Sequence, residues 1–177
     1  METTVGQLLV VWSARLVVGC FLLRYLWPVL AGRNAASRRW VLRIWAAAWL
    51  LLLVHVGFAF HFIHGWSHSA AYEHTARQTA AVTGLNWGGG VYFNYALLVV
   101  WGADVVRSIW HSQETPASYR NSMSSWSLTV QIFVAAMMLF ATVVFGPIFW
   151  TWIAAGFAVV MAILLGRTTR DSSDNEG

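Results

Sequence analysis

The sequence predicts an all-α polytopic membrane bundle with about five transmembrane helices. Hydrophobic residues make up 58% of the 177 residues, and charged residues make up only 10%, against about 25% in an average soluble domain. The apolar residues also fall into runs long enough to cross a hydrocarbon core of about 30 Å. All eleven basic residues are arginines that lie mostly between these runs. The arginines that give the net charge of +4 are therefore explained by membrane topology rather than by nucleic-acid binding.

The apolar runs give the approximate bounds of the helices. The last run has about forty residues, which as one helix would be about 60 Å long. Gly146-Pro147 divides this run, because Gly ends helices and Pro is favoured at the first position of the next one. The external loop 65–88 is predicted to contain a helix, with Ser69 as its N-cap and Gly84 as its end. The predicted membrane helices are 5–30, 40–64, 89–110, 126–145 and 147–166.

The arginine distribution predicts the orientation of these helices. Only Arg77 falls on the side of the external loop, whereas eight arginines flank the opposite ends of the helices. By the positive-inside rule, the N-terminus is external and the C-terminus cytoplasmic, as in a protein of a bacterial inner membrane. Residues 1–166 then form a single transmembrane domain, and the polar tail 167–177 is expected to be disordered. The eight arginines are Arg33, Arg38, Arg39, Arg43, Arg107, Arg120, Arg167 and Arg170.

Five of the six histidines lie between residues 55 and 74, where the second predicted helix enters the external loop. On a continuous helix, His61, His64 and His68 would lie within an arc of about 60°, at positions i, i+3 and i+7. Neutral imidazoles are good ligands for Zn, Cu or Fe, although no complete motif such as HExxH is present. The predicted metal ligands are His61, His64 and His68, with Glu73 and His74 as further ligands.

Haem b is the alternative cofactor, and His55 and Arg15 are its candidate binding residues. His55 would lie about 13 Å inside the membrane, counted at 1.5 Å per residue. Arg15 would lie at a similar depth on the first helix, where a guanidinium can bind a propionate or a lipid phosphate. The second axial ligand must come from elsewhere, because the first, fourth and fifth predicted helices contain no histidine.

Polar side chains inside the membrane segments allow two interpretations without a cofactor. One is a proton or ion route between the second and third helices, because polar groups at this depth usually face the bundle interior. Its lining residues would be His55, His61, Asp104, Tyr92, Asn94 and Tyr95. Alternatively, the histidines are interfacial hydrogen-bonding groups of a non-catalytic accessory subunit. In either case, Asp104 is expected to pair with Arg24 or Arg107.

These observations favour an inner-membrane protein that binds a transition metal or haem and acts in electron transfer or metal handling. The expected partners are the lipid bilayer and either other membrane subunits or a second copy of the chain, with nucleic acid excluded. The sequence leaves open whether the protein is an enzyme.

Overall fold

The computed structural model describes residues 2–32, 34–111, 125–144 and 146–174, and over these ranges the protein is helical without any β-strand. Two of the helices continue into a short π-helical turn. The elements are α1 (Glu2–Leu30), α2 (Ala35–Ala59, continued by the π-helical turn Phe60–His64), α3 (His68–Thr83), α4 (Gly90–His111), α5 (Ser125–Leu139, continued by the π-helical turn Phe140–Val144) and α6 (Phe149–Asp174).

Three segments of the described chain are long and apolar enough to cross a membrane, and they belong to α1, α2 and α5. They are Val5–Leu30, Ala35–His64 and Ser125–Val144. In α6 the apolar part, Phe149–Ile163, is shorter. The 22-residue helix α4, which contains Asn94, Asp104 and Arg107, is not among these three segments. The structure therefore confirms an all-helical chain compatible with a membrane, and the count of five spans stays a prediction.

Local capping explains where the helix bounds differ from those predicted. Helix α2 begins five residues early, because the Asn34 side chain caps it by accepting a hydrogen bond from the Ser37 N–H, at 2.8 Å. Helix α3 is capped by Ser67, which accepts from the Ala70 N–H at 3.3 Å, rather than by Ser69. It ends as predicted at Gly84, whose φ of +77° is left-handed.

The last helix also differs from its prediction at both ends. Pro147 lies in the turn before α6, and its carbonyl accepts a hydrogen bond from the Trp150 N–H. Helix α6 therefore begins at Phe149 rather than at the proline. It continues to Asp174, past the start of the tail expected to be disordered, since no Gly or Pro lies between Arg167 and Asp174.

The core lies where α1, α2, α4 and α5 meet, and it is centred on two fully buried indoles. Trp45 and Trp101 pack with ring centroids 4.5 Å apart. Valine, leucine and methionine side chains from α1, α4 and α5 surround them. Helix α3 lies across one end of this bundle, in contact with the π-helical turn of α2 and with α4. This arrangement brings α3 next to the end of α2 that carries the histidines.

Asp104 is buried in the core, and the predicted ion pair with Arg24 or Arg107 is not formed. Its Oδ2 accepts a hydrogen bond from Trp45 Nε1 at 2.9 Å, and its Oδ1 accepts one from Ser127 Oγ at 3.2 Å. The Arg24 guanidinium instead lies over the Trp45 ring, 4.0 Å from its centroid. Neutral donors therefore satisfy this carboxylate in place of a cation.

Candidate functional site

The histidine-rich end of the bundle, defined here as residues 60–74, is shaped by an abrupt break after the π-helical turn that ends α2. Gly65 and Trp66 both adopt left-handed backbone conformations, with φ of +55° and +59°. Glycine adopts this conformation freely, whereas it is uncommon for tryptophan. The Trp66 N–H closes the turn on the Phe60 carbonyl at 2.9 Å. Because α2 ends here, His68 belongs to α3, and the predicted stripe of three histidines on one helix is not formed.

The His61 side chain is held by Trp66, which lies at the break after α2. Its Nδ1 accepts a hydrogen bond from Trp66 Nε1 at 3.3 Å. An indole nitrogen only donates, so Nδ1 carries the lone pair and the proton of the neutral ring lies on Nε2. His61 therefore has no free lone pair for a metal ion in this arrangement.

His68 joins α3 to α4 through two tyrosines. Its Nδ1 lies 3.0 Å from the Tyr95 hydroxyl, and its Nε2 lies 3.5 Å from the Tyr92 hydroxyl. Both rings also pack against the imidazole, with centroids 5.8 and 5.6 Å away. Both nitrogens of His68 are thus directed to protein partners, which indicates a structural contact between the two helices.

His64 and His74 are the two histidines that the fold brings directly together. Their ring centroids are 5.3 Å apart in an edge-to-face arrangement, with an angle of 68° between the planes. Neither imidazole has a hydrogen bond to another residue in the described part of the chain. Partial burial, and to a smaller extent the positive charge of Arg77, lowers the pKa of His74 from its usual value. These effects favour the neutral form of the His74 imidazole, which is the form that binds a metal ion.

Glu73, the predicted carboxylate ligand, points to solvent next to this pair. Its side chain is 71% exposed, and its Oε2 lies 3.9 Å from Arg77 Nη1. Across the described ranges, no three His, Cys, Asp or Glu side chains are placed to hold one metal ion. The structure therefore brings His64 and His74 into contact, and within the described ranges none of His61, His68 and Glu73 completes a set of three ligands with them.

The candidate haem residues are His55, which packs from α2 against one side of α1, and Arg15, which lies on the opposite side of α1. His55 Nδ1 lies 3.1 Å from both the Val10 carbonyl and Ser13 Oγ. Because a carbonyl only accepts, Nδ1 carries the proton and Nε2 keeps its lone pair. Arg15 is about 200° further round α1 from Ser13, where it packs over the rings of Trp12 and Phe149.

Two partners of the histidines were not predicted from the sequence. Ser13 and Trp66 give no signal in the sequence, because nothing in the chain marks them as neighbours of His55 and His61. The tyrosines of α4 do give one, since Tyr92 and Tyr95 at positions i and i+3 share a helix face. Comparison with known proteins adds no assignment, because no family model, curated protein or solved structure matches this chain.

Proposed function

We propose that the chain crosses a bacterial inner membrane five times, with its N-terminus external. The length of α4 supports this, because 22 residues extend about 33 Å. The packing of Trp27 against Trp40, with centroids 6.0 Å apart, supports a common interfacial level for the end of α1 and the start of α2. Eight arginines on that side and only Arg77 on the other support the orientation.

We infer that the external end of this bundle binds a divalent transition-metal ion through His64 and His74. The 5.3 Å between their ring centroids carries the inference. Two imidazoles bound to one tetrahedral ion, with metal–nitrogen bonds of about 2.1 Å, would have centroids about 5 Å apart. The pair therefore has the separation of two ligands to the same ion before any side chain moves.

Two protein ligands favour metal handling over a permanent structural metal. Structural zinc sites are closed by four protein ligands, whereas open sites leave coordination positions to water or to an exchanging group. Glu73, the residue before His74 in the chain, is a candidate for a third ligand, because its ion pair with Arg77 is exposed and costs little to break. Neutral imidazoles suit Zn, Cu, Ni and Fe, and a carboxylate ligand would select against Cu(I).

Haem b and electron transfer receive less support. The hydrogen bond from His55 Nδ1 to the Val10 carbonyl is the kind of contact that orients a ligating imidazole. However, Arg15 lies on the opposite side of α1 from His55, so the two residues do not fit one haem.

An accessory subunit without a metal is the second candidate, supported by the hydrogen bonds of the other histidines. His55, His61 and His68 all contact neighbouring helices or the adjacent turn. In that case, combined substitution of His61 and His68 with alanine would disrupt assembly with partner subunits and leave metal content unchanged.

The metal site is tested by titrating chelator-stripped, detergent-purified protein with Co²⁺ and measuring absorption and metal content. We expect one ion per chain in the wild type, and at least tenfold weaker binding in His64→Ala and in His74→Ala. His61→Ala and His68→Ala are matched controls, because hydrogen bonds already engage the lone pair of the His61 ring and both ring nitrogens of His68. Equal binding by all four variants, or none by the wild type, would contradict the proposal. A Soret band in the untreated protein would instead point to haem.

A further inference from the structure

A groove runs between α2 and α4 on the surface of the bundle, in the part farther from the histidine-rich end. Its volume is about 630 Å³, within the range of about 300–1,000 Å³ that is typical of ligand sites. Trp49 and Leu53 of α2 line one side, and residues of α4 from Leu98 to Trp110 line the other. The walls are apolar except at one end, where Arg107 lies.

The floor of the groove is fixed by contacts between the two helices. Trp49 Nε1 donates a hydrogen bond to the Leu98 carbonyl at 2.9 Å, which holds the indole across α4. Gly102 makes this close approach possible, because a Cβ there would lie 2.7 Å from Trp49 Cζ2. The groove is thus part of the helix packing and does not depend on a flexible loop.

The length of the groove matches one leaflet of a bilayer. Leu98 and Trp110 are twelve residues apart, about 18 Å along a helix, and half of a hydrocarbon core is about 15 Å. Trp110, at the far end, is 72% exposed, as expected of an indole at headgroup level. Arg107 is one turn before it, is exposed, and forms no ion pair with any other residue in the described ranges.

We propose that this groove binds one acyl chain of an anionic phospholipid, whose phosphate binds Arg107. The apolar walls accommodate the chain, and the guanidinium forms paired hydrogen bonds with phosphate oxygens. The proposed topology puts Arg107 on the cytoplasmic side, where anionic headgroups attract basic residues. The inference rests on that topology, since α4 must cross the membrane for Arg107 to reach the headgroups.

The test is native mass spectrometry of delipidated protein with added phosphatidylglycerol or phosphatidylcholine that have the same acyl chains. We expect the wild type to retain one phosphatidylglycerol in preference to phosphatidylcholine. Ala103→Phe fills the exposed side of the groove and should weaken binding of both lipids more than tenfold. Arg107→Gln should reduce only the preference for the anionic lipid, about fivefold. The matched controls are Ala47→Phe and Arg43→Gln, at exposed α2 positions outside the groove.

Three results would overturn the inference. Equal retention by Ala103→Phe and Ala47→Phe would place the lipid elsewhere, and equal retention of the two lipids by the wild type would remove the role of Arg107. Conversion of a wild-type dimer into a monomer by Ala103→Phe would make the groove an interface between copies.

Labelling of a single cysteine shows whether a negative result comes from a wrong lipid inference or from a wrong membrane topology. With Cys20→Ala as background, His111→Cys should react with an impermeant maleimide only from the cytoplasmic side. Labelling from the external side would contradict both the proposed topology and the lipid inference. Labelling from the cytoplasmic side, without preferential retention of phosphatidylglycerol, would contradict the lipid inference alone.

Discussion

The core around Asp104 and the histidine-rich end of the bundle use polar side chains in opposite ways. Both carboxylate oxygens of Asp104 accept hydrogen bonds, from Trp45 and Ser127, and so join α2, α4 and α5. His64 and His74 contact each other without a hydrogen bond to any described residue. A buried polar group must be satisfied within the protein, whereas a half-exposed imidazole can be satisfied by water. Water leaves the nitrogens of the histidine pair available to a ligand.

Replacing Trp45 with alanine should have the largest effect on stability. The substitution removes a fully buried indole and one hydrogen bond to Asp104. We expect a loss of about 3–5 kcal/mol in the free energy of unfolding, measured by chemical denaturation in detergent. Trp110→Ala is the control, because that side chain is 72% exposed. Similar losses in the two variants would show that the core is not centred on Trp45.

Asp104→Leu should have the next largest effect, because it leaves the Trp45 N–H buried without an acceptor. An unsatisfied buried donor costs about 1–3 kcal/mol. Asp104→Asn keeps a carbonyl oxygen as an acceptor, and we expect it to recover most of the loss in the same denaturation measurement. If the two variants were equally destabilised, the negative charge rather than the hydrogen bond would be what the core requires.

The helices could be predicted from the sequence to within a few residues at most ends, because apolar length and Gly or Pro positions decide them. The contacts of Asp104 could not be predicted. The expectation that a buried carboxylate pairs with a cation left out the neutral donors that it uses, an indole N–H and a hydroxyl. The histidine stripe assumed a regular helix through Gly65. Nothing in the tract FHFIHGW marks a π-helical turn or a left-handed tryptophan, because both depend on packing against α1 and α3. The contact between His64 and His74 likewise depends on where α3 folds back.

The docking of α3 onto the bundle should weaken when the contact between His68 and the tyrosines is removed. This contact is exposed, so His68→Ala should cost about 0.5–1.5 kcal/mol, the net value of an ordinary hydrogen bond. Hydrogen–deuterium exchange should become faster across α3 and stay unchanged in α5. His61→Ala serves as the comparison, because His61 contacts Trp66 of its own turn rather than α4. Faster exchange in the His61 variant as well would mean that the whole histidine-rich end, and not one contact, holds α3.

The smallest expected effect is a pH dependence of stability in the metal-free protein, arising from His74. Burial and Arg77 lower its pKa in the folded state, so the unfolded chain binds the proton more readily. Stability from this group is fully present above the unfolded pKa of about 6.5 and decreases as the pH falls through that value. His64 and Arg77 face the same imidazole, and Glu73 is paired with Arg77. Denaturation at pH 7.5 and 5.5 should therefore show a smaller loss in His74→Gln than in the wild type. An unchanged loss would assign the pH dependence to groups outside the pair, and the contrast with the Asp104 core would then rest on geometry alone.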